Sequence, residues 1–166
     1  MEPGEQETTP LIHNGIMYLA NPGDVIQALD AKNGDLIWEY RHGTIKSGKT
    51  RVRNIAIYED KIFHFTKGEQ HLIALHAATG ALIWEVPVAG NFSSGPIVAN
   101  GHIVSGRSCS PIEGPDVCFI AAYDPDDGSE IWRTRLIPRP DEPGGDTWGD
   151  LPYEERRHVG AWGVGS

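Results

Sequence analysis

The sequence predicts an all-β chain built from a repeated four-stranded unit. An eleven-residue pattern occurs three times, at 28–38, 74–84 and 122–132, with Ala first, Gly seventh and Trp last in every copy. The three tryptophans are 46 and 48 residues apart. Self-similarity at a period of this size is typical of repeat architectures, in which each copy is one supersecondary unit.

Each copy has the pattern of a β-hairpin. In the first copy an apolar run at 25–29 leads through a short polar turn into a second apolar run at 36–38. The turn glycines Gly34, Gly80 and Gly128 stand where a type I turn with a bulge needs a positive φ angle, which glycine adopts at least cost. The pattern therefore predicts the last two strands of each unit.

Two further strands are predicted ahead of each hairpin. The turn between them is Asn-Gly at 14–15 and at 100–101, and Glu-Asp at 59–60. Asn-Gly between apolar runs is among the strongest short-range signals of a hairpin. Each unit is therefore expected to be a meander of four strands.

A four-stranded meander is the blade of a β-propeller, and the repeated Trp suits packing between blades because it has a large apolar body and one N–H donor. We expect a β-propeller fragment of about three blades with tryptophan-docking repeats. The blades are predicted at about 8–42, 52–90 and 94–137, and a loop and the entry to a fourth blade at about 138–166. Since rings typically carry four to eight blades, we expect a segment of a longer protein. A β-sandwich with three coincidentally similar hairpins is the alternative.

The amino-acid composition limits the kinds of partner that we expect for the chain. The chain has 14 Lys and Arg against 23 Asp and Glu, and its formal net charge is −9. Its basic residues are scattered, which argues against a nucleic-acid surface. No apolar run approaches the length of a membrane span, and the first residues lack the basic start and apolar core of a secretory signal. The charged run at 154–157 predicts a solvated face.

The two cysteines, Cys109 and Cys118, fall at the end of one predicted strand and the start of the next. A disulfide across this hairpin is plausible and implies an oxidising compartment; two half-buried free thiols are the alternative. Their separation of nine residues is not typical of a zinc site. The seven histidines show no ligand pairing, since His71 and His76 are expected to face opposite sides of a sheet.

The eleven-residue repeats resemble the tryptophan-docking motifs of the quinoprotein alcohol dehydrogenases, eight-bladed propellers that use pyrroloquinoline quinone (PQQ). The resemblance covers essentially the whole chain. It implies a segment of a periplasmic enzyme that oxidises alcohols or polyols to carbonyl compounds and passes the electrons to the quinone. The missing blades and a cytochrome electron acceptor are the implied partners. A cofactor-free propeller that serves as a protein–protein interaction scaffold in the cell envelope is the alternative function.

The resemblance also assigns residues to the cofactor. The positions that match the family's cofactor contacts are Glu7, Arg53, Ser93, Ser108 and Trp162. PQQ is a planar tricarboxylate, so a guanidinium suits bidentate pairing, hydroxyls suit its edge and a tryptophan suits its flat face. We expect these positions, which lie mostly at blade starts, to converge at one mouth of the ring.

The chain departs from the family pattern in three places. The adjacent cysteines that precede the Arg of the second blade are absent from 47–51. The family's calcium-ligating Glu is replaced by Pro111, so either Glu113 substitutes for it after a local rearrangement or metal binding differs. The family's catalytic Asp is expected beyond residue 166, so no catalytic residue is predicted in this chain.

Overall fold

The structure, a computed structural model, describes residues 4–43, 50–90, 92, 94–109, 113–157 and 159–161. These residues form three four-stranded antiparallel sheets and one parallel pair of strands. The predicted all-β fold with blades of four strands is confirmed. No helix in these ranges is both long enough and apolar enough to cross a membrane.

In chain order the strands are β1 (Gly4–Gln6), β2 (Leu11–His13), β3 (Ile16–Asn21), β4 (Val25–Asp30), β5 (Leu36–Arg41), β6 (Thr50–Val52), β7 (Ala56–Tyr58), β8 (Lys61–Phe65), β9 (His71–His76), β10 (Leu82–Pro87), β11 (Ile97–Ala99), β12 (His102–Arg107), β13 (Phe119–Tyr123) and β14 (Glu130–Arg135). Blade 1 is the meander β2 to β5, blade 2 is β7 to β10, and blade 3 is β11 to β14. Strands β1 and β6 form the parallel pair.

The three repeat turns fold alike. The amides of Gly34, Gly80 and Gly128 each donate to the carbonyl four residues earlier, at 2.8, 2.8 and 2.9 Å. Their φ angles are 82°, 70° and 75°, in the left-handed region. The register of the hairpin shifts beside each turn, as a bulge requires. The repeated glycine is thus explained by backbone geometry.

Each docked tryptophan contacts the following repeat. Trp38 Nε1 donates to the carbonyl of Ala77 at 2.9 Å, and Trp84 Nε1 donates to that of Pro125 at 3.2 Å. Both acceptors are the fourth residue of the next repeat. A Cβ atom on Gly80 would lie 2.6 Å from the Trp38 ring, so the turn glycine also makes room for the indole.

Two layers of buried side chains join the blades. The layer between blades 1 and 2, here the first seam, is mainly aliphatic and contains Tyr18, Ile26, Trp38, Ile55, Ile62, Ile73 and Leu75. The layer between blades 2 and 3, the second seam, is rich in aromatic rings and contains Phe63, Phe65, Leu72, Phe92, Ile103, Phe119 and Tyr123. The blades are therefore held face to face by apolar burial, the dominant favourable contribution to folding.

The segment after blade 3 corrects one prediction. Arg156 is 4% exposed, whereas the charged run at 154–157 was expected to be a solvated face. Its guanidinium donates to the carbonyls of Leu151 and Pro138 at 3.2 and 3.1 Å and lies over the ring of Trp148. Irregular backbone leaves carbonyls without partners in a ladder, and the guanidinium satisfies two of them.

Candidate functional site

Glu7 and Arg53, at the starts of blades 1 and 2, lie side by side. The parallel pairing of β1 and β6 sets Gln6 opposite Val52, and the amide of Glu7 donates to the carbonyl of Val52 at 3.0 Å. The residues that follow these two strands, Glu7 and Arg53, are therefore in contact through their side chains. Arg53 Nη2 lies 3.0 Å from Glu7 Oε2. The Arg53 side chain is 13% exposed and that of Glu7 is 44% exposed, so the pair sits at a surface that solvent reaches.

The start of blade 3 rests on the start of blade 2. A Cβ atom on Gly95 would lie 2.4 Å from the backbone nitrogen of Asn54, so this close approach requires glycine. The preceding residue, Ser94, is buried, and its hydroxyl accepts the amide of Gly106 at 2.9 Å. The described starts of the three blades are thus gathered in one region.

Ser108 lies against the chain that approaches the predicted fourth blade. A Cβ atom on Gly160 would fall 1.8 Å from Ser108 Oγ, and the amide of Cys109 donates to the carbonyl of Val159 at 3.3 Å. Cys109 is joined to Cys118 by a disulfide with a Cα–Cα distance of 4.8 Å. The half-buried Ser108 is therefore packed beside the residues that immediately precede position 162.

Asp24, beside the first seam, is a buried carboxylate that the sequence patterns did not identify. It is 2% exposed and accepts the amides of Lys67 and Gly68, at 2.9 and 2.8 Å, and Nε2 of His64 at 3.3 Å. Burial opposes ionisation of this carboxyl, but the bonds from His64 and the two amides outweigh it and hold its pKa below the usual value. Asp24 therefore ties a turn of blade 1 to the β8–β9 loop of blade 2.

Lys67 places a second cation near Arg53. Its ammonium donates to the carbonyl of Phe92. Burial lowers the pKa of Lys67 to about 8; the Asp24 carboxylate opposes this change, and the Arg53 guanidinium adds to it. A neighbouring anion would therefore favour the protonated form of Lys67.

A narrow cleft lies at the join of blades 2 and 3, beside Arg53 and Lys67. It is lined by Arg53, Asn54, His64, Phe65, Lys67, Ser94, Gly95 and Pro96. Its volume is about 10 Å³, room for roughly one water molecule. A tricyclic ligand could therefore lie only across its opening and not inside it.

The family model of the β-propeller domain of PQQ-type glucose, ethanol and alcohol dehydrogenases matches residues 1–166. The chain belongs to this family. The resemblance of its repeats to the quinoprotein dehydrogenases is thereby confirmed.

Comparison with known proteins of the family shows what share of their length the chain covers. It is 31% identical over 146 residues to the quinohemoprotein alcohol dehydrogenase ADH-IIG of Pseudomonas putida, covering 80% of this chain and 20% of that protein. It is 30% identical to the dehydrogenase subunit of the quinone alcohol dehydrogenase of Gluconobacter oxydans, covering 95% and 23%. The crystal structure of the quinohemoprotein alcohol dehydrogenase from Comamonas testosteroni superposes with a TM-score of 0.64 at 26% identity, covering 86% and 23%. The chain thus spans about a fifth of the length of these relatives.

For this member of the PQQ family, the described residues bring together part of the predicted site. Glu7 and Arg53 are in contact, and Ser108 lies beside Gly160. Ser93 and Trp162 lie outside the described residues. Asp24 and Lys67 were missed because each resembles an ordinary loop residue; their contacts cross from one blade to the next, at sequence separations of 43 and 25 residues.

The predicted calcium position gains no support from the described residues. Pro111 lies outside them, and the carboxylate of Glu113 is paired with the guanidinium of Arg107, which is 9% exposed. Calcium takes six to eight oxygen ligands, and a carboxylate neutralised by an arginine is a poor one. Glu113 therefore does not fit the role of substitute ligand.

Proposed function

We propose that this chain contributes one side of the PQQ-binding mouth of a dehydrogenase that oxidises alcohols or polyols to carbonyl compounds. The observation that carries the proposal is the contact between Arg53 and Glu7 at the convergent blade starts. Membership of the PQQ family supplies the identity of the cofactor. When bound, PQQ would supply the two-electron acceptor for the oxidation.

The described residues fit the carboxylates of such a cofactor. A guanidinium has five donors in a rigid fork and can serve several acceptors, of which Glu7 is one. Glu7 would orient this fork toward the mouth, and Arg53 would bind a cofactor carboxylate. Lys67 would add positive potential nearby, because an anion favours its protonated form.

The remaining assignments follow the family resemblance. Ser108 would offer a hydroxyl to the edge of the cofactor, Ser93 would do the same from blade 3, and Trp162 would supply the flat surface beneath its rings. The tight packing of Ser108 on Gly160 supports placing Ser108 and Trp162 in one neighbourhood.

We also propose a periplasmic location and a cytochrome as the electron acceptor. The disulfide between Cys109 and Cys118 supports an oxidising compartment, since such bonds persist in the periplasm and are rare in the cytosol. Thiol alkylation of the protein isolated with and without reductant tests the location. Labelling of both cysteines before reduction would contradict it.

Titration of PQQ into the full-length protein tests the function. We expect quenching of tryptophan fluorescence and dye reduction in the presence of an alcohol. Removing a hydrogen bond to a charged group costs about 1.5–3 kcal/mol, so Arg53→Ala should raise the Kd of PQQ roughly 10- to 150-fold. Arg41→Ala is the matched control, because Arg41 is 67% exposed and pairs with Glu39 on the outer strand of blade 1.

The outcomes separate the proposal from its alternative. Weaker binding in Arg53→Ala with unchanged binding in Arg41→Ala supports a cofactor mouth at Arg53. Absence of PQQ binding to the folded wild-type protein would favour a cofactor-free scaffold. Equal affinity of both variants and wild type would remove Arg53 from the site.

A further inference from the structure

Two histidines and a glutamate from different blades meet at the edge of the first seam. His42 follows β5 of blade 1, His71 opens β9 of blade 2, and Glu69 belongs to the loop before β9. One nitrogen of each ring and one carboxylate oxygen all lie within 4.8 Å of one another. Within the described residues this is the one such cluster of three metal-ligating side chains.

The ring nitrogens of this cluster are unequally satisfied. Nε2 of His42 and Nε2 of His71 lie 3.4 and 3.7 Å from the two oxygens of Glu85. Nδ1 of both rings is buried and has no hydrogen-bond partner in the part of the chain that the structure describes. His42 as a whole is 5% exposed. An unsatisfied nitrogen in a buried ring costs folding free energy, and a ligand there would remove that cost.

The arrangement has the features of a transition-metal site. Metal-ligating histidines commonly donate their second ring N–H to a carboxylate, which fixes the ring and its tautomer. Glu85 is hydrogen-bonded to His42 Nε2, and its other oxygen lies 3.7 Å from His71 Nε2. Donor atoms of a tetrahedral zinc site lie about 3.3 Å apart, so side-chain rotations would bring the three atoms, which already lie within 4.8 Å of one another, into coordination distance. Imidazole with carboxylate suits zinc, nickel or copper.

We propose that His42, His71 and Glu69 bind a divalent transition-metal ion of the zinc type, with Glu85 orienting the two imidazoles. Glu69 is exposed, so solvent can complete the coordination. The ion would join blade 1 to blade 2. It would also hold the β8–β9 loop in place, because Gly68, next to Glu69, donates its amide to the Asp24 carboxylate.

Metal titration of the full-length protein, freed of metal with a chelator and without PQQ, tests the site. We expect one Zn²⁺ ion per chain by calorimetry and a ligand-field absorption band in the visible when Co²⁺ is used. His71→Ala and Glu69→Gln should weaken Zn²⁺ binding at least tenfold, and Glu85→Gln roughly 10- to 100-fold as an orienting carboxylate. These partly exposed residues are chosen because replacing the buried His42 endangers folding.

His13→Ala is the matched control, since His13 is exposed on blade 1 and its ring is hydrogen-bonded to the neighbouring Asn14. This variant should bind Zn²⁺ like the wild type, and Zn²⁺ should raise the Tm of wild type and His13→Ala but not of His71→Ala. Absence of stoichiometric Zn²⁺ binding to the folded wild type would overturn the site and leave the cluster as a hydrogen-bonded tie between blades. Equal affinity in wild type and His71→Ala would overturn it as well. Neither result depends on PQQ.

Discussion

The two seams between blades share one docking contact and differ in what surrounds it. In both, a tryptophan donates to the fourth residue of the next repeat. The second seam is filled with rings: Phe92 stacks on Phe65 with centroids 4.2 Å apart and meets Phe119 and Tyr123 edge-on. The first seam instead carries, beside its aliphatic layer, a buried network centred on Asp24.

This difference distinguishes the residues that recur at each seam from those that we assign to the proposed sites. The docking tryptophans recur with the repeat, so they set the geometry of every seam alike. The buried carboxylate of Asp24, by contrast, belongs to one place, where a turn of blade 1 meets the loop that carries Lys67. Buried charges are costly unless they are paired and hydrogen-bonded, and Asp24 meets this condition by accepting amides of the loop that carries both Lys67 and Glu69 of the proposed sites.

The largest effect is expected in the aromatic seam. Phe92 is 2% exposed, so Phe92→Ala should lower the free energy of unfolding by about 3–5 kcal/mol. The loss should be nearly the same at pH 5 and pH 9, because only apolar contacts are removed and the backbone carbonyl that binds Lys67 remains. Urea unfolding measures it, with the exposed Ile12→Ala as control. A loss that varies strongly with pH would show that the second seam also depends on charge.

A smaller but pH-dependent loss is expected for Asp24→Asn. Removing one partner of a buried ion pair costs about 3–5 kcal/mol, and the amide that remains should reduce the loss to roughly 3 kcal/mol at pH 7. The folded pKa of Asp24 lies below its unfolded value of about 3.9, so its contribution is present above pH 4 and disappears as the pH falls through the folded pKa. Urea unfolding of wild type and variant at pH 7 and pH 3 should therefore show a shrinking difference. The exposed Asp35→Asn serves as control, and a difference that is constant with pH would count against the network.

Lys67 should make the free energy of unfolding depend on pH in the alkaline range. Its pKa is about 8 in the folded chain and about 10.4 when unfolded, so the unfolded state binds more protons between these values. Stability should therefore rise with pH from 8 to 10, by at most about 1.4 kcal/mol per pH unit, with Asp24 and Arg53 as the charged groups that face the ammonium. Lys67→Met should abolish this rise in urea unfolding. An identical pH profile for the variant would refute the assignment.

The same contrast explains what the sequence could reveal. The fold was predictable because its signals are local: the turn glycine Gly80 and the tryptophan Trp84 recur at fixed offsets, and each reports a hairpin a few residues long. Packing of the tryptophan between blades followed from repetition, but its acceptor in the next repeat did not.

The candidate site was less accessible to sequence reasoning. Glu7 and Arg53 were identified through the family resemblance, but their contact depends on the parallel pairing of β1 and β6, for which the local pattern gave no signal. His42 and His71 come from different blades and meet only after the blades dock. Their spacing along the chain therefore carried no information about ligand pairing.

The smallest effect tests whether the docking contacts themselves are equal. Trp38 is 9% exposed and bonds Ala77 at 2.9 Å, whereas Trp84 is partly buried and bonds Pro125 at 3.2 Å. Phenylalanine keeps an aromatic ring and removes the N–H donor, so Trp38→Phe should cost about 1–1.5 kcal/mol and Trp84→Phe about 0.5–1 kcal/mol, the range of a single hydrogen bond. Trp132→Phe is the control in this 166-residue chain, because Trp132 is 42% exposed. Urea unfolding that ranks the three variants in this order would show that burial tunes a shared contact. Equal losses at Trp38 and Trp84 would mean that the seams differ only in the residues around the docking tryptophan.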